Sequence, residues 1–179
     1  FIIVKEIPSL DHGFAVVENC YTTAECDRFF SQMPTTVAAG SRCLLDSEWC
    51  QTLARTLKNR VSSTAPGIGA LVAVQCTFFN KSPDSNWFVA FHQDRSIPVA
   101  SSVVKDKWSG WSRKEGMTFI HGPDTLLAEM LALRLHIDHS GPDNGPLRVI
   151  PNSHKSGTLS HEDIESLRES SSHETLTAR

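Results

Sequence analysis

The chain has 179 residues, of which 40% are hydrophobic and 21% are charged, a balance typical of one soluble globular domain. The net charge of -3 and the lack of any basic run argue against nucleic acid as a partner. No apolar stretch reaches the roughly 18 residues that a membrane span needs, and the short apolar run at residues 1–4 does not fit a signal peptide.

The cysteines indicate a reducing compartment. There are five, scattered and odd in number, and no Cys-x-x-Cys pair occurs among them. Two of them fall inside predicted helices, which favours reduced thiols packed as small hydrophobes. We therefore expect a cytoplasmic protein without a structural zinc site.

The first half of the chain predicts one strand and two helices. Residues 14–17 predict a short strand after a turn. The sequence Thr22-Thr23-Ala24-Glu25 is a capping box, and the apolar residues behind it follow helical spacing. A second helix is expected to begin near Ser47, with one apolar stripe that ends near Val61.

The second half predicts strands. Residues 70–79 and 87–92 are rich in β-branched and aromatic side chains, residues 131–139 alternate apolar and polar, and 147–150 form a short apolar run. Helices followed by several strands predict an α+β, mainly β fold, with the strands in a sandwich or barrel. No repeat or linker divides the chain, so we predict a single domain over residues 1–179.

Between these strands, residues 95–128 are predicted to be irregular. A connection of that length inside a compact domain is usually functional, so we expect a lid-like insertion that determines the substrate. Trp108 and Trp111 lie within it. They are expected either to shape a substrate pocket or to pack the lid against the rest of the domain.

A His-x-Asp pattern, which on a strand turns both side chains to one face, occurs three times, at residues 92–94, 136–138 and 161–163. Two such side chains and a second histidine make the facial triad of non-haem iron(II) oxygenases. The copy at 161–163 begins a predicted helix, where residues two apart diverge. For the copy at 136–138 we favour a hydrogen-bonded histidine near a strand end. The copy at 92–94 ends an aromatic strand and leads into the long irregular segment, so it is the preferred metal site.

Several spaced segments resemble the phytanoyl-CoA dioxygenase family. They cover most of residues 10–160, in the order Phe79-Asn80-Lys81-Ser82-Pro83-Asp84-Ser85-Asn86-Trp87, Phe91-His92-Gln93-Asp94-Arg95, Gly110-Trp111-Ser112-Arg113-Lys114-Glu115-Gly116, Leu133-Arg134-Leu135-His136-Ile137-Asp138 and Asn144-Gly145-Pro146-Leu147-Arg148-Val149-Ile150-Pro151-Asn152-Ser153-His154. Several motifs in order are far more specific than one His-x-Asp.

The resemblance implies a fold and a reaction. The fold is a double-stranded β-helix, or cupin-like jelly roll, with flanking N-terminal helices. The reaction couples the decarboxylation of 2-oxoglutarate to succinate with O₂-dependent hydroxylation of a small organic substrate. By motif, His92 and Asp94 correspond to the family's first two Fe(II) ligands.

One departure from the family concerns the third ligand. In the family the distal histidine lies on a later strand, and an arginine that clamps 2-oxoglutarate follows it. His154, His161 and His173 do not match that setting, so we expect the third ligand, the clamp and the last strands to lie beyond residue 179. On this interpretation, residues 1–179 alone would aggregate or bind iron weakly.

Three further residues are candidates for cosubstrate binding. Arg134 shares the predicted strand face of His136 and Asp138, so it could bind a carboxylate or pair with Asp138. Asn80 and Lys81 match a region of the family that contributes to the cosubstrate pocket. For Lys81 we favour a solvated turn residue.

Two other functional classes stay open. One is a non-catalytic jelly-roll domain that has lost the complete metal site and binds only a ligand or partner. The other is a cupin-like metalloenzyme that does not use 2-oxoglutarate. Dependence of O₂ uptake on 2-oxoglutarate, and its loss on His92→Ala, would separate these readings.

Overall fold

The computed structural model describes residues 2–3, 10–33, 39–65, 67–82, 84, 88–100 and 108–178. They form two compact units that both draw on early and late parts of the chain. The first unit comprises Phe1–Glu6, Thr36–Trp87 and Asp94–Leu133, and the second comprises Ile7–Thr35, Phe88–Gln93 and Arg134–Arg179. Within the described ranges, no helix has both the length and the apolar character that a membrane crossing requires.

The main helix of the first unit is α2 (Glu48–Val61), which confirms the helix predicted near Ser47. Glu48 lies in its first turn and basic residues lie in its last turn, so the charges at both ends interact favourably with the helix dipole. The helix buries Cys50 and Val61, the two ends of the predicted apolar stripe.

The core of the first unit is a three-stranded antiparallel sheet in the order β4 (Ser96–Val99), β6 (Met117–His121), β5 (Ser109–Lys114). Phe119 and Ile120 of β6, the central strand, are almost fully buried. A two-residue turn closes the β5–β6 hairpin. Both of its residues, Glu115 at φ 51° and Gly116 at φ 83°, have the positive φ that matches the twist of the strands.

Two short ladders and a short helix also belong to the first unit. Strand β2 (Gly40–Ser41) pairs antiparallel with β3 (Phe78–Phe79), and β1 (Ile2–Ile3) pairs antiparallel with β7 (Met130–Leu131). Helix α3 (Asp124–Leu127) lies between β6 and β7.

The α-helices described in the second unit both begin with a capping box. Helix α1 (Thr23–Phe30) begins after Thr22, whose side chain and that of Glu25 satisfy each other's backbone N–H groups, which confirms the predicted capping box. Helix α4 (His161–Ser170) begins in the same way after Ser160, with Asp163 as the reciprocal partner.

The strands of the second unit are β8 (Leu147–Val149) and β9 (Glu174–Leu176), paired antiparallel. The β8 strand confirms the prediction for 147–150. Further along, Ser140 and Ala178 form an isolated antiparallel bridge with two 2.9 Å hydrogen bonds, so the last described residues are tied to the segment before β8.

The other strand predictions were wrong in extent. Residues 14–17 and the described part of 87–92 form no ladder, 70–79 contributes only β3 and an isolated bridge, and 131–139 contributes only the end of β7. Residue 87 itself lies outside the described residues. An extended, alternating segment becomes a strand only when a neighbour accepts and donates its backbone hydrogen bonds, and alternation does not show whether that neighbour exists.

The prediction of an irregular segment at 95–128 was also wrong. It contains β4, β5, β6 and α3, while 101–107 lie outside the described residues. Its Ser, Gly and Trp residues do not give a recognisable strand pattern, so the sequence did not reveal the hairpin, whose turn is Glu-Gly. The lid role stays a prediction.

The fold class is confirmed at the level of helices combined with antiparallel sheets. Among the described residues no sheet closes into a barrel, so the double-stranded β-helix stays a prediction. The single domain over 1–179 stays a prediction as well.

Candidate metal centre

His92, the first predicted ligand, lies in the second unit and is exposed. Its Nδ1 atom is 2.9 Å from the carbonyl oxygen of Ala90. Since a carbonyl oxygen only accepts, the proton of the neutral ring lies on Nδ1 and Nε2 carries the lone pair. Histidines that ligate metals usually have this arrangement, in which one ring nitrogen donates to the protein and the other faces the ion.

Phe91, the residue before His92, is held by two neighbours on its ring. The guanidinium carbon of Arg148 lies 5.4 Å from the ring centroid, a cation–π distance. The imidazole of His173 meets the ring edge-on, with 5.7 Å between the centroids. Phe91 is half-buried while His92 is exposed, so the two side chains have opposite environments.

Gln93, the residue after His92, is half-buried and forms two side-chain hydrogen bonds to one backbone segment. Its Nε2 donates to the carbonyl oxygen of Gly157 at 2.7 Å, and its Oε1 accepts from the backbone N–H of Leu159 at 2.9 Å. His92 therefore lies between two anchored residues, and its backbone position is fixed from both sides. We call this arrangement of Phe91, Gln93 and their contacts the His92 anchor.

Asp94, the second predicted ligand, is exposed and belongs to the first unit, because the boundary between the units falls between Gln93 and Asp94. The residue after it, Arg95, accepts a backbone hydrogen bond of 3.3 Å from Gly122 through its carbonyl oxygen. Strand β4 begins at the next position. Asp94 thus lies two residues before the edge strand of the three-stranded sheet, which holds its backbone on the C-terminal side.

The charges of Arg134 and Asp138 both act on the imidazole of His136. Burial lowers the pKa of His136, the positive charge of Arg134 lowers it further, and the carboxylate of Asp138 opposes both. Desolvation also lowers the pKa of the Arg134 guanidinium, although the residue as a whole is exposed. A guanidinium that stays protonated at all physiological pH values is suited to carboxylates, but the binding role of Arg134 stays a prediction.

Asn80 and Lys81, the other cosubstrate candidates, are exposed and follow β3 in the first unit. The backbone N–H of Asn80 donates to the carbonyl oxygen of Ala39 at 2.9 Å and extends the β2–β3 pairing. Both remain predictions as binding residues.

The copy of the pattern at 161–163 begins a helix, as the sequence predicted, and its carboxylate has a structural role. The Asp163 carboxylate accepts from the side chain and backbone of Ser160, and these hydrogen bonds hold its pKa below the usual value. His161 is the first residue of α4 and is exposed. The copy therefore caps a helix.

The remaining candidates for a third ligand also have packing roles. His154 lies against Gly13, and His173 lies against Phe91. Within the described part of the chain, no three side chains of His, Cys, Asp or Glu converge as a metal site would require. The described residues thus contain two predicted ligands, His92 and Asp94, and no complete triad.

Comparison with known families decides the assignment. A model of the phytanoyl-CoA dioxygenase family matches residues 10–175. The chain belongs to the phytanoyl-CoA dioxygenase family. Comparison with curated proteins and with solved structures gave no significant match.

Membership in this family implies the general chemistry of Fe(II)- and 2-oxoglutarate-dependent oxygenases, with O₂ and a small-molecule substrate, and a cupin-like jelly-roll fold. His92 fits an iron ligand because its tautomer leaves the lone pair on Nε2. Asp94 supplies the carboxylate of the motif. A bound iron needs a third protein ligand, which the described residues do not bring to these two.

Sequence reasoning missed the His92 anchor. Gln93 was treated only as the middle of the motif, and Phe91 only as part of an aromatic strand. The alternation of Phe91, His92 and Gln93 could have indicated that the outer two side chains face the protein. Their partners are more than fifty positions away, and no local pattern indicates them.

Proposed function

We propose that this protein is an Fe(II)- and 2-oxoglutarate-dependent dioxygenase that hydroxylates a small organic substrate. In that reaction O₂ is consumed, 2-oxoglutarate loses CO₂ to become succinate, and a substrate C–H bond becomes C–OH. The observation that carries the proposal is the family match over residues 10–175, within which the His-x-Asp motif stands at 92–94.

His92 and Asp94 would hold the iron, and the iron with its cosubstrate would supply the oxidising chemistry. The chain's own contribution is positioning. The bond from Nδ1 to Ala90 fixes the tautomer of His92, and the His92 anchor fixes its backbone. Asp94 is held by the sheet that begins two residues later.

The rest of the site is also a proposal. Arg134 would bind a carboxylate of the cosubstrate, since a partly desolvated guanidinium matches that group. Asn80 and Lys81 would contribute to the cosubstrate pocket. Residues 95–128 would determine the substrate. The cytoplasmic location and the closed jelly roll stay predictions.

The decisive experiment measures succinate formed from 2-oxoglutarate by the purified full-length protein with Fe(II) and O₂, and compares the wild type with His92→Ala. The uncoupled reaction does not require the natural substrate. Wild-type turnover should be detectable, and the variant should lose at least about 99% of it, because a lost ligand removes the ion that activates O₂.

His161→Ala is the matched control, since it removes an exposed histidine from the same sequence pattern on α4. It should retain wild-type turnover. Absence of turnover in the wild-type protein would favour the non-catalytic jelly-roll domain. O₂ uptake without 2-oxoglutarate would favour the cupin-like metalloenzyme.

A further inference from the structure

Four polar residues of the first unit lie on or beside the paired strands β4 and β6. Ser96, the first residue of β4, is directly paired with His121, the last residue of β6. Arg95 precedes Ser96, and its carbonyl oxygen accepts a 3.3 Å hydrogen bond from the backbone N–H of Gly122. Lys114 is the last residue of β5. We call Arg95, Ser96, Lys114 and His121 the basic cluster.

Three side chains of the basic cluster share one face of the sheet. Residues two apart on a strand face the same way, so Phe119 and His121 lie on the same side of β6. Ser96 lies on that side because it is directly opposite His121 on the neighbouring strand. Lys114 lies there as well, since its Nζ atom is 5.2 Å from the centroid of the Phe119 ring. The ammonium group is therefore on the same side as the imidazole.

A β-bulge holds the imidazole of His121 in place. The pairing of β5 with β6 shifts between Ser109 and Ser112, and Gly110 lies within this bulge at φ 64°. The His121 ring lies so close to Gly110 that a Cβ at this position would overlap it. The glycine therefore makes room for the ring and limits its movement at the end of β6.

The basic cluster contains buried donors whose hydrogen bonds are not made. In the described part of the chain, Arg95 Nε and Ser96 Oγ are buried and have no hydrogen-bond partner. A buried donor without a partner costs free energy, and such an exception in a folded protein calls for an explanation. A ligand that accepts hydrogen bonds from both groups would supply one.

The charge around His121 is positive. Burial lowers the pKa of its imidazole, and the positive charges of Arg95 and Lys114 lower it further. Within the described ranges, no carboxylate forms an ion pair with Arg95 or Lys114. An anion among these side chains would offset the two positive charges, and its oxygens would accept the missing hydrogen bonds.

We propose that the basic cluster binds an anionic group of the substrate, a carboxylate or a phosphate. Arg95 and Lys114 supply the charge, and Arg95, Ser96 and His121 donate hydrogen bonds to the anion. The cluster lies within residues 95–128, which are proposed to determine the substrate, and it begins directly after Asp94. That the anion belongs to the substrate rests on the proposed function, whereas anion binding itself does not.

The test titrates sodium phosphate or sodium acetate into the purified full-length protein, without added iron and at constant pH and ionic strength. The readout is the ¹H–¹⁵N NMR signal of the His121 side chain, which is assigned by its loss in His121→Gln. This signal should shift saturably with at least one of the two anions, and the tighter anion identifies the group as phosphate or carboxylate. The absence of a saturable shift with both anions would overturn the proposal.

Two variants of neighbouring residues on β5 separate a site from a general charge effect. Lys114→Gln should weaken anion binding by about fivefold or more, because it removes a charge on the face of His121. Arg113→Gln removes a charge from the preceding residue, which is exposed and faces the other side of the sheet. It should change the affinity by less than about twofold. Equal weakening in both variants would contradict a built site.

Ser96→Ala gives a second test that does not depend on the folding of Lys114→Gln. It should weaken anion binding by about threefold or more and leave the urea midpoint unchanged or higher, because the buried hydroxyl has no partner in the fold. A lower midpoint with unchanged anion affinity would show that the hydroxyl serves the fold. Anion binding without succinate formation would reject the proposed dioxygenase and keep the anion site, and the converse result would do the opposite.

Discussion

The side-chain amide of Gln93 donates a 2.7 Å hydrogen bond to the carbonyl oxygen of Gly157. This bond joins the middle of the His-x-Asp motif to the backbone that precedes α4. Gln93 also accepts a hydrogen bond from the backbone N–H of Leu159 through its Oε1 atom. Two hydrogen bonds to one backbone segment fix the orientation of the side chain. The residue between the two proposed ligands thus has a structural task, which is to hold the backbone of His92.

Gln93→Ala should therefore lower both the stability of the fold and the affinity for iron. Loss of two hydrogen bonds should lower the free energy of unfolding by about 1–3 kcal/mol, measured by urea denaturation. Looser positioning of His92 should weaken Fe(II) affinity by roughly tenfold, measured anaerobically by chelator competition.

The control for Gln93→Ala is Gln51→Ala, which removes a single side-chain bond to the carbonyl oxygen of Leu45 at the start of α2. It should change stability by less than about 1 kcal/mol and leave iron affinity unchanged. If both variants affect iron equally, the His92 anchor has no positioning role.

Gly13→Ala should be strongly destabilising because two effects combine. Gly13 has φ 89°, which disfavours any Cβ, and the added methyl group would overlap the ring of His154. Gly116→Ala is matched for φ, at 83°, but meets no atom within 4 Å. We expect roughly 1 kcal/mol of destabilisation for Gly116→Ala and at least about 2 kcal/mol for Gly13→Ala.

A double variant isolates the overlap at Gly13. Adding His154→Ala to Gly13→Ala should restore part of the lost stability, since the clash disappears while the φ strain remains. Thermal denaturation of Gly13→Ala, His154→Ala and the double variant gives the coupling free energy between the two substitutions. Strictly additive effects would show that His154 does not lie against Gly13.

Glu115 should make part of the stability dependent on pH. Burial alone raises the pKa of its carboxyl, but hydrogen bonds from Ser41 and Arg42 outweigh that effect and hold the pKa below the usual value. The Ser41 hydroxyl donates at 2.6 Å and the backbone N–H of Arg42 at 2.9 Å. Because the folded-state pKa is depressed, this contribution is present above the unfolded pKa of about 4.3 and is lost as pH falls through the folded-state pKa.

Glu115→Gln should accordingly reduce stability by about 1 kcal/mol at pH 7 and flatten the pH dependence below about pH 4.3. Urea denaturation between roughly pH 3 and pH 7 measures both effects. Glu18→Gln, a change at an exposed residue outside this cluster, should keep the wild-type pH profile. A wild-type profile in Glu115→Gln would exclude the carboxylate as its source.

The helices could be predicted from the sequence because their signals are local. The Thr22–Glu25 capping box and the acidic and basic ends of α2 act within one or two turns, so their meaning does not depend on distant residues. The same holds for the pattern at 161–163, for which the sequence predicted the helical setting but not the capping role of Asp163. For these elements the sequence and the structure agree.

The strands were harder to predict from the sequence because their hydrogen-bonding partner strands lie far away in the chain. The alternation at 131–139 predicts a strand, yet a ladder forms only at β7. Conversely, the β5–β6 hairpin was hidden by a Glu-Gly turn, where Asn-Gly is the usual signal. In the candidate site the motif identified His92 and Asp94, but the His92 anchor depends on residues such as Arg148 that no local pattern connects to it.

The most direct test of the central claim is the affinity of the protein for Fe(II), measured anaerobically in the wild type, His92→Ala, Asp94→Ala and His161→Ala. If His92 and Asp94 bind the iron, each of their variants should weaken the affinity by about tenfold or more, while His161→Ala should match the wild type. Equal affinity in all four proteins, or a loss confined to His161→Ala, would contradict the proposed metal centre.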